Sequence, residues 1–156
     1  MLLALLLGSQ LTSGCSSAGA AAGATATADH HQAVAAYDDA LKPLKARSDV
    51  LEERFAAVQR TDRGDPEQLR EVLGEIIPAY AELLDEARHI EVEDASVKVA
   101  HEALLASLEA QQQGLELALR ALDENDSGLM TKAGTSLRRA QALLLKHRRL
   151  LSRARG

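Results

Sequence analysis

From Asp29 to Gly156, apolar residues recur at alternating steps of three and four, the spacing of a helix that buries one face against neighbouring helices. Turn residues interrupt this pattern at 61–65, 91–94 and 123–128. Asp65 before Pro66 is typical of a helix N-cap followed by proline at the first helical position. Because each break is short, the pattern predicts an all-α fold, an antiparallel up-down-up-down four-helix bundle over residues 29–156.

Each helix has its own predicted buried face. The first runs from Val34 to Val58 and the fourth from Met130 to Ala154. The middle two matter most below. The second comprises Leu69, Val72, Ile76, Ala79, Leu83, Glu86 and Ile90, and the third comprises Val97, His101, Leu104, Leu108, Gln111, Leu115, Ala118 and Leu122.

Aligning these faces places Glu86, His101 and His147 in one core layer, the only predicted layer with ionisable side chains. A carboxylate and two imidazoles are plausible ligands for Zn or Fe. With His89, Glu86 also forms a Glu-x-x-His fragment that resembles the motif of di-iron carboxylate proteins, although no second copy occurs. Two alternatives are a hydrogen-bonded layer that fixes helix register, opened to water if Glu86 turns outward and Ala87 inward, and a proton-linked histidine switch.

Charge is sorted along the chain. Residues 65–94 carry ten acids and two bases, whereas residues 128–156 carry eight bases and no acid. Most of these bases fall off the apolar pattern and form a predicted basic strip: Arg138, Arg139, Lys146, Arg148, Arg149 and Arg153. The strip is either a solvated face balanced by acidic neighbours or a docking surface for an acidic envelope protein or anionic lipid. With only two Tyr, one Phe and no Trp, binding of nucleic acid by base stacking is not expected.

The N-terminus carries a different pattern. An uncharged apolar run, Met1–Leu7, leads to Thr12-Ser13-Gly14-Cys15, and Cys15 is the only cysteine. This segment resembles the signal of bacterial lipoproteins, which ends in a lipobox. The resemblance implies that residues 1–14 are a signal peptide, that Cys15 is acylated, and that the protein is anchored in the cell envelope, on the periplasmic face of the outer membrane if the cell is Gram-negative.

Residues 15–28 would then combine the acylated cysteine with a flexible small-residue linker. No nucleophile-base pair, phosphate-binding loop or complete metal motif is visible in the sequence, so we expect no enzyme activity and no cofactor. The leading hypothesis is a lipid-anchored scaffold, adaptor or accessory subunit. The alternative is a periplasmic metal-binding or metal-sensing bundle that uses the Glu/His layer.

Overall fold

The structure, a computed structural model, describes residues 21–60 and 65–156. These residues form four helices and no strand: α1 (Ala21–Arg60), α2 (Pro66–Arg88), α3 (Ala95–Glu124) and α4 (Ser127–Ala154). The predicted all-α class with four helices is confirmed. None of these helices combines the length and apolarity needed to cross a membrane.

The start of α1 differs from the expectation. The helix begins at Ala21 and so includes residues 21–28, which were predicted to belong to a flexible linker. Alanine dominates this stretch and has the highest helix propensity of any residue, which favours helix here. The predicted signal peptide and Cys15 lie outside the described residues.

Aspartate side chains set the helix starts. Asp65 caps α2 with Pro66 at the first helical turn, as the sequence predicts. Asp94 accepts hydrogen bonds from the backbone N–H groups of Ser96 and Val97 at the start of α3. Asp126 caps α4, and Asn125 before it takes a left-handed conformation with φ 51°. These caps satisfy orphan N–H groups and fix where each helix begins.

The closest helix pair is α3 with α4, and small residues line it. The hydroxyl of Ser107 donates to the backbone carbonyl of Ala140 at 2.8 Å, and the hydroxyl of Ser136 donates to that of Ala110 at 2.9 Å. A side chain as short as serine reaches the opposite backbone only when the two helices approach closely. The buried small residues are Ala100, Ala103, Ser107, Ala110, Gly114, Ala118 and Ala121 on α3, with Ala133, Ser136, Ala140 and Ala154 on α4.

Larger side chains pack α1 and α2 into the core. The main cluster includes Leu44, Leu51, Leu73, Ile76, Tyr80, Leu83 and Leu115. The predicted buried face of α2 is partly wrong, because Leu73, Tyr80 and Ala87 are buried in place of Val72, Ala79 and Glu86. Ile76 and Leu83 belong to both the predicted and the observed face. A small rotation of α2 therefore buries Tyr80 and Leu73 and leaves the Glu86 carboxylate in water.

Candidate functional site

The structure places the residues of the predicted Glu/His layer in two different environments. His101 and His147 are buried, with 7% and 5% of their surface exposed. Glu86 is exposed and forms an ion pair with Arg47 of α1, which also contacts Glu82 at 3.0 Å. Ala87 is buried where Glu86 was expected. The structure therefore has the arrangement considered as an alternative, with Glu86 turned outward.

The two buried histidines surround Tyr37 of α1. The Tyr37 ring lies edge-on to His101 and His147, with centroid distances of 5.6 and 6.3 Å. The Tyr37 hydroxyl is 3.2 Å from Nδ1 of His101. Nδ1 of His147 lies 2.9 Å from the Ala100 carbonyl, which can only accept, so this nitrogen carries the proton.

These contacts favour neutral imidazoles. Burial lowers the pKa of His101, and the neighbouring His147 lowers it further. Burial also lowers the pKa of His147. Within the described part of the chain, no fully buried side-chain nitrogen or oxygen lacks a hydrogen-bond partner. Tyr37, His101 and His147 thus form a satisfied polar layer that joins α1, α3 and α4.

The other predicted metal ligand, His89, lies apart from this layer. It is exposed just after α2, and its Nδ1 donates to the Asp85 carbonyl at 2.7 Å. Among residues 21–60 and 65–156, no three or more His, Cys, Asp or Glu side chains are grouped so that they could hold a metal ion. Glu86, His89, His101 and His147 are not brought together, and metal binding stays a prediction without a ligand set.

A third histidine forms a contact that sequence reasoning missed. His30 of α1 lies with Nδ1 2.7 Å from the Asp94 carboxylate and Nε2 2.7 Å from the Ala154 carbonyl. Both partners are acceptors, so both ring nitrogens must carry protons and the imidazole is a cation. Accordingly, the hydrogen bond to Asp94 raises the pKa of His30, and the same bond lowers the pKa of Asp94. We call this contact the His30 clamp.

The His30 clamp ties the N-terminal half of α1 to the start of α3 and the end of α4. Arg155, just after α4, adds an ion pair to Asp38 of α1 at 2.7 Å. The partners of His30 are 64 and 124 positions away in the chain, so no local sequence pattern signals them. The clamp and the Tyr37 layer lie at the same end of the molecule.

The predicted basic strip lies in solvent. Arg138, Arg139, Lys146, Arg148, Arg149 and Arg153 are all exposed, and in the described ranges none lies within 4 Å of an acidic group. Arg138 donates instead to the Thr135 hydroxyl at 3.2 Å. Burial raises the pKa of Glu52 of α1, and the nearby charge of Arg148 opposes that rise. The strip therefore keeps most of its charge uncompensated.

The acids of α2 have other partners. Arg47 pairs with Glu82 and Glu86, and Arg54 pairs with Glu75 at 2.5 Å. The surplus acids of α2 are thus partly balanced by α1. The described ion pairs do not connect α2 to α4, so the acids of α2 do not balance the basic strip. The acids that reach α4 come from α1: Asp38 pairs with Arg155, and Glu52 lies near Arg148.

An exposed leucine lies within the basic strip. Leu145 is 57% exposed and lines a shallow groove on the outer side of α4 with Ala142, Arg148, Arg149 and Ser152. This surface combines an apolar centre with cationic sides. The sequence predicted its charge, but it did not predict that a leucine would be exposed there.

No protein-family model, curated protein or solved structure with which the chain was compared matches it. Its function is therefore inferred from the chemistry of these surfaces.

Proposed function

We propose that this protein is a lipid-anchored lipoprotein of the cell envelope that acts through surface contacts as a scaffold, adaptor or accessory subunit, and not as an enzyme. In this proposal residues 1–14 are removed and Cys15 carries the lipid. The resemblance of Thr12-Ser13-Gly14-Cys15 to a lipobox supports the anchor. If the cell is Gram-negative, the domain would face the periplasm from the outer membrane.

We further propose that the helices form an antiparallel up-down-up-down bundle. Two hydrogen bonds between α3 and α4 support this arrangement: Ser107 bonds to Ala140, and Ser136 bonds to Ala110. Moving forward along α3 from 107 to 110 thus means moving backward along α4 from 140 to 136, as in an antiparallel pair. The short breaks between successive helices support it as well. Such a bundle offers four long outer faces for contacts with other molecules.

One observation carries the proposed function: α4 exposes six cations that form no ion pair within the described residues. Elsewhere on the molecule, Arg47, Arg54, Arg70, Arg88 and Arg120 each pair with an acidic side chain. A cationic face without its own counter-charges attracts an anionic partner and orients it during encounter. We therefore assign the basic strip as the contact surface.

The anchor is tested by metabolic labelling with a radioactive or alkyne-tagged fatty acid, followed by mass spectrometry of the mature N-terminus. The expected result is a label on Cys15 and loss of residues 1–14. A Cys15→Ser variant is the control and should carry no label. An unprocessed and unlabelled wild-type chain would refute the envelope location.

The contact surface is tested by crosslinking in intact cells and recovery of bound envelope components. Changing Arg138, Arg139, Arg148 and Arg149 together to Glu should abolish recovery, because four attractive charges become repulsive. Circular dichroism must show unchanged helicity, which is expected because all four side chains are exposed. Unchanged recovery by a folded variant would show that the basic strip is only a solvated face.

A further inference from the structure

We propose that the outer face of α4 docks on an anionic lipid surface, with α4 lying along the plane of the bilayer and Leu145 inserted between the headgroups. This inference rests on the envelope location proposed above and names the anionic partner as lipid.

The arrangement of residues around α4 fits a flat anionic surface. Arg138, Ala142, Leu145, Arg149 and Ser152 follow one another at steps of three and four, so they share one stripe along the helix. The buried stripe of Ala133, Ser136, Ala140, His147 and Leu151 lies on the opposite side. The outer stripe is therefore the part of α4 farthest from the core.

Cations flank this outer stripe on both sides. Lys146 and Arg153 lie on one side of it and Arg148 on the other, as the 100° turn per residue requires. Cationic side chains therefore span the whole outer width of α4, which suits a broad anionic surface. No acidic residue occurs in α4 to repel an anionic headgroup.

The exposed leucine adds an apolar contact. Leu145 is 57% exposed at the centre of the cationic face, beside the small residues Ala142 and Ser152. Interfacial helices combine such an apolar centre with lysine and arginine, whose alkyl stems lie along the acyl boundary while their charges reach the headgroups. A purely electrostatic contact would not need the leucine.

The position of α4 relative to the predicted anchor also favours contact with a membrane. The His30 clamp holds α1 against the last turn of α4, through the 2.7 Å contact of His30 with the Ala154 carbonyl. The chain that leads back to Cys15 therefore leaves from the end where Arg149 and Arg153 lie. A lipobox cysteine takes a diacylglycerol, so in this proposal the lipid holds the protein at the membrane and the basic face sets how the domain lies on it.

The test uses residues 15–156, the proposed mature chain, with Cys15→Ser, so that neither a lipid nor the apolar run Met1–Leu7 contributes to binding. Phosphatidylcholine vesicles with and without phosphatidylglycerol are mixed with the protein and separated by flotation. The expected result is binding to the anionic vesicles only, weakening as salt is raised. In the same chain, Arg138→Gln with Arg149→Gln should lower the partition coefficient about 25-fold, since each cation near an anionic membrane contributes about fivefold.

A matched pair controls for net charge. Lys45→Gln with Lys98→Gln removes the same charge from exposed side chains on α1 and α3, and should change the partition coefficient less than twofold. Leu145→Ala should lower the partition coefficient roughly fivefold, as expected for a partly inserted apolar side chain. This loss should depend less on salt than the loss caused by the arginine variant. Circular dichroism checks that every variant is folded.

Equal binding to both vesicle types would overturn the proposal, and so would equal losses of binding in the arginine and lysine double variants. A third contrary outcome is that the arginine variant still binds vesicles as before but no longer crosslinks to an acidic protein that the wild type captures. The last outcome would assign the face to a protein partner. The lipid label on Cys15 is measured separately, so a failed anchor and a failed docking surface give different results.

Discussion

The close approach of α3 and α4 depends on Gly114, and replacing this glycine with alanine gives a sharp test of it. A Cβ atom at Gly114 would lie 2.7 Å from Cγ and Cδ2 of Leu137 and 3.2 Å from the Leu137 backbone nitrogen. Rotation of the leucine side chain about χ1 and χ2 could move Cγ and Cδ2, but the backbone nitrogen can move away only if the two helices separate.

The expected effect follows from two opposing contributions. Inserting a methyl group into a tightly packed contact costs typically about 1–3 kcal/mol. Alanine in a helix interior is more favourable than glycine by about 1 kcal/mol. Because the backbone is part of the contact, we expect the cost near the upper end and a net destabilisation of about 1–2 kcal/mol, or a fall in Tm of about 3–6 °C.

Thermal unfolding followed by circular dichroism measures this change against two matched controls. A Cβ at Gly74 or Gly134 would meet no atom within 4 Å, so Gly74→Ala and Gly134→Ala should stabilise the protein by up to about 1 kcal/mol. Adding Leu137→Ala to Gly114→Ala should recover most of the packing cost, with a coupling free energy of at least about 1 kcal/mol. If Gly114→Ala stabilised the protein as Gly74→Ala does, the proposed close contact would be wrong.

Three further predictions concern pH and capping. Because the pKa of His30 is raised, the clamp contributes fully to the free energy of unfolding below pH 6.5, and this contribution is lost as pH rises through the folded-state pKa. In urea unfolding, His30→Gln should therefore remove the fall in the free energy of unfolding over that pH range. The lowered pKa of His147 has the opposite sign, so stability should fall as pH drops below 6.5, and an unchanged acid slope in His147→Gln would contradict this. Asp126→Ala should cost about 1 kcal/mol by removing the cap of α4, whereas Asp126→Asn should cost little.

The number of helices and the places where they break could be predicted from the sequence. The three-four spacing of apolar residues reports one buried face per helix whatever the tertiary arrangement. Asp65, Asp94 and Asp126 act within one helical turn, so their capping role depends only on neighbouring residues. Local physics was sufficient for this part of the fold.

The rotation of α2 could not be predicted in the same way. A face through Val72, Ala79 and Glu86 and a face through Leu73, Tyr80 and Ala87 share Ile76 and Leu83, so both satisfy the spacing. The structure takes the face that buries the larger side chains and leaves Glu86 beside Arg47 in water. A three-residue polar layer was predicted because the spacing alone does not include the cost of burying a carboxylate without a partner.

The small residues of α3 show a second limit. Leu104 and Leu108 were predicted to lie in the core face, but they are only half-buried, and Ala103 and Ser107 are buried. Two helices that approach closely bury alanine, serine and glycine in preference to leucine. The sequence contains this signal as small residues at positions 100, 103, 107, 110 and 114, although an apolar pattern weighted by size does not detect it.

The six side chains of the basic strip are exposed on α4, and their charge can be read from the sequence without packing information. The meaning of the strip depended on the other helices, since a solvated face and a docking face have the same sequence. The structure separates them in part: Arg47 and Arg54 take up acids of α2, so those acids are not available to α4. The strip thus runs along α4 to the helix end that the His30 clamp holds against α1, and in the proposal above an anionic lipid surface supplies its counter-charge.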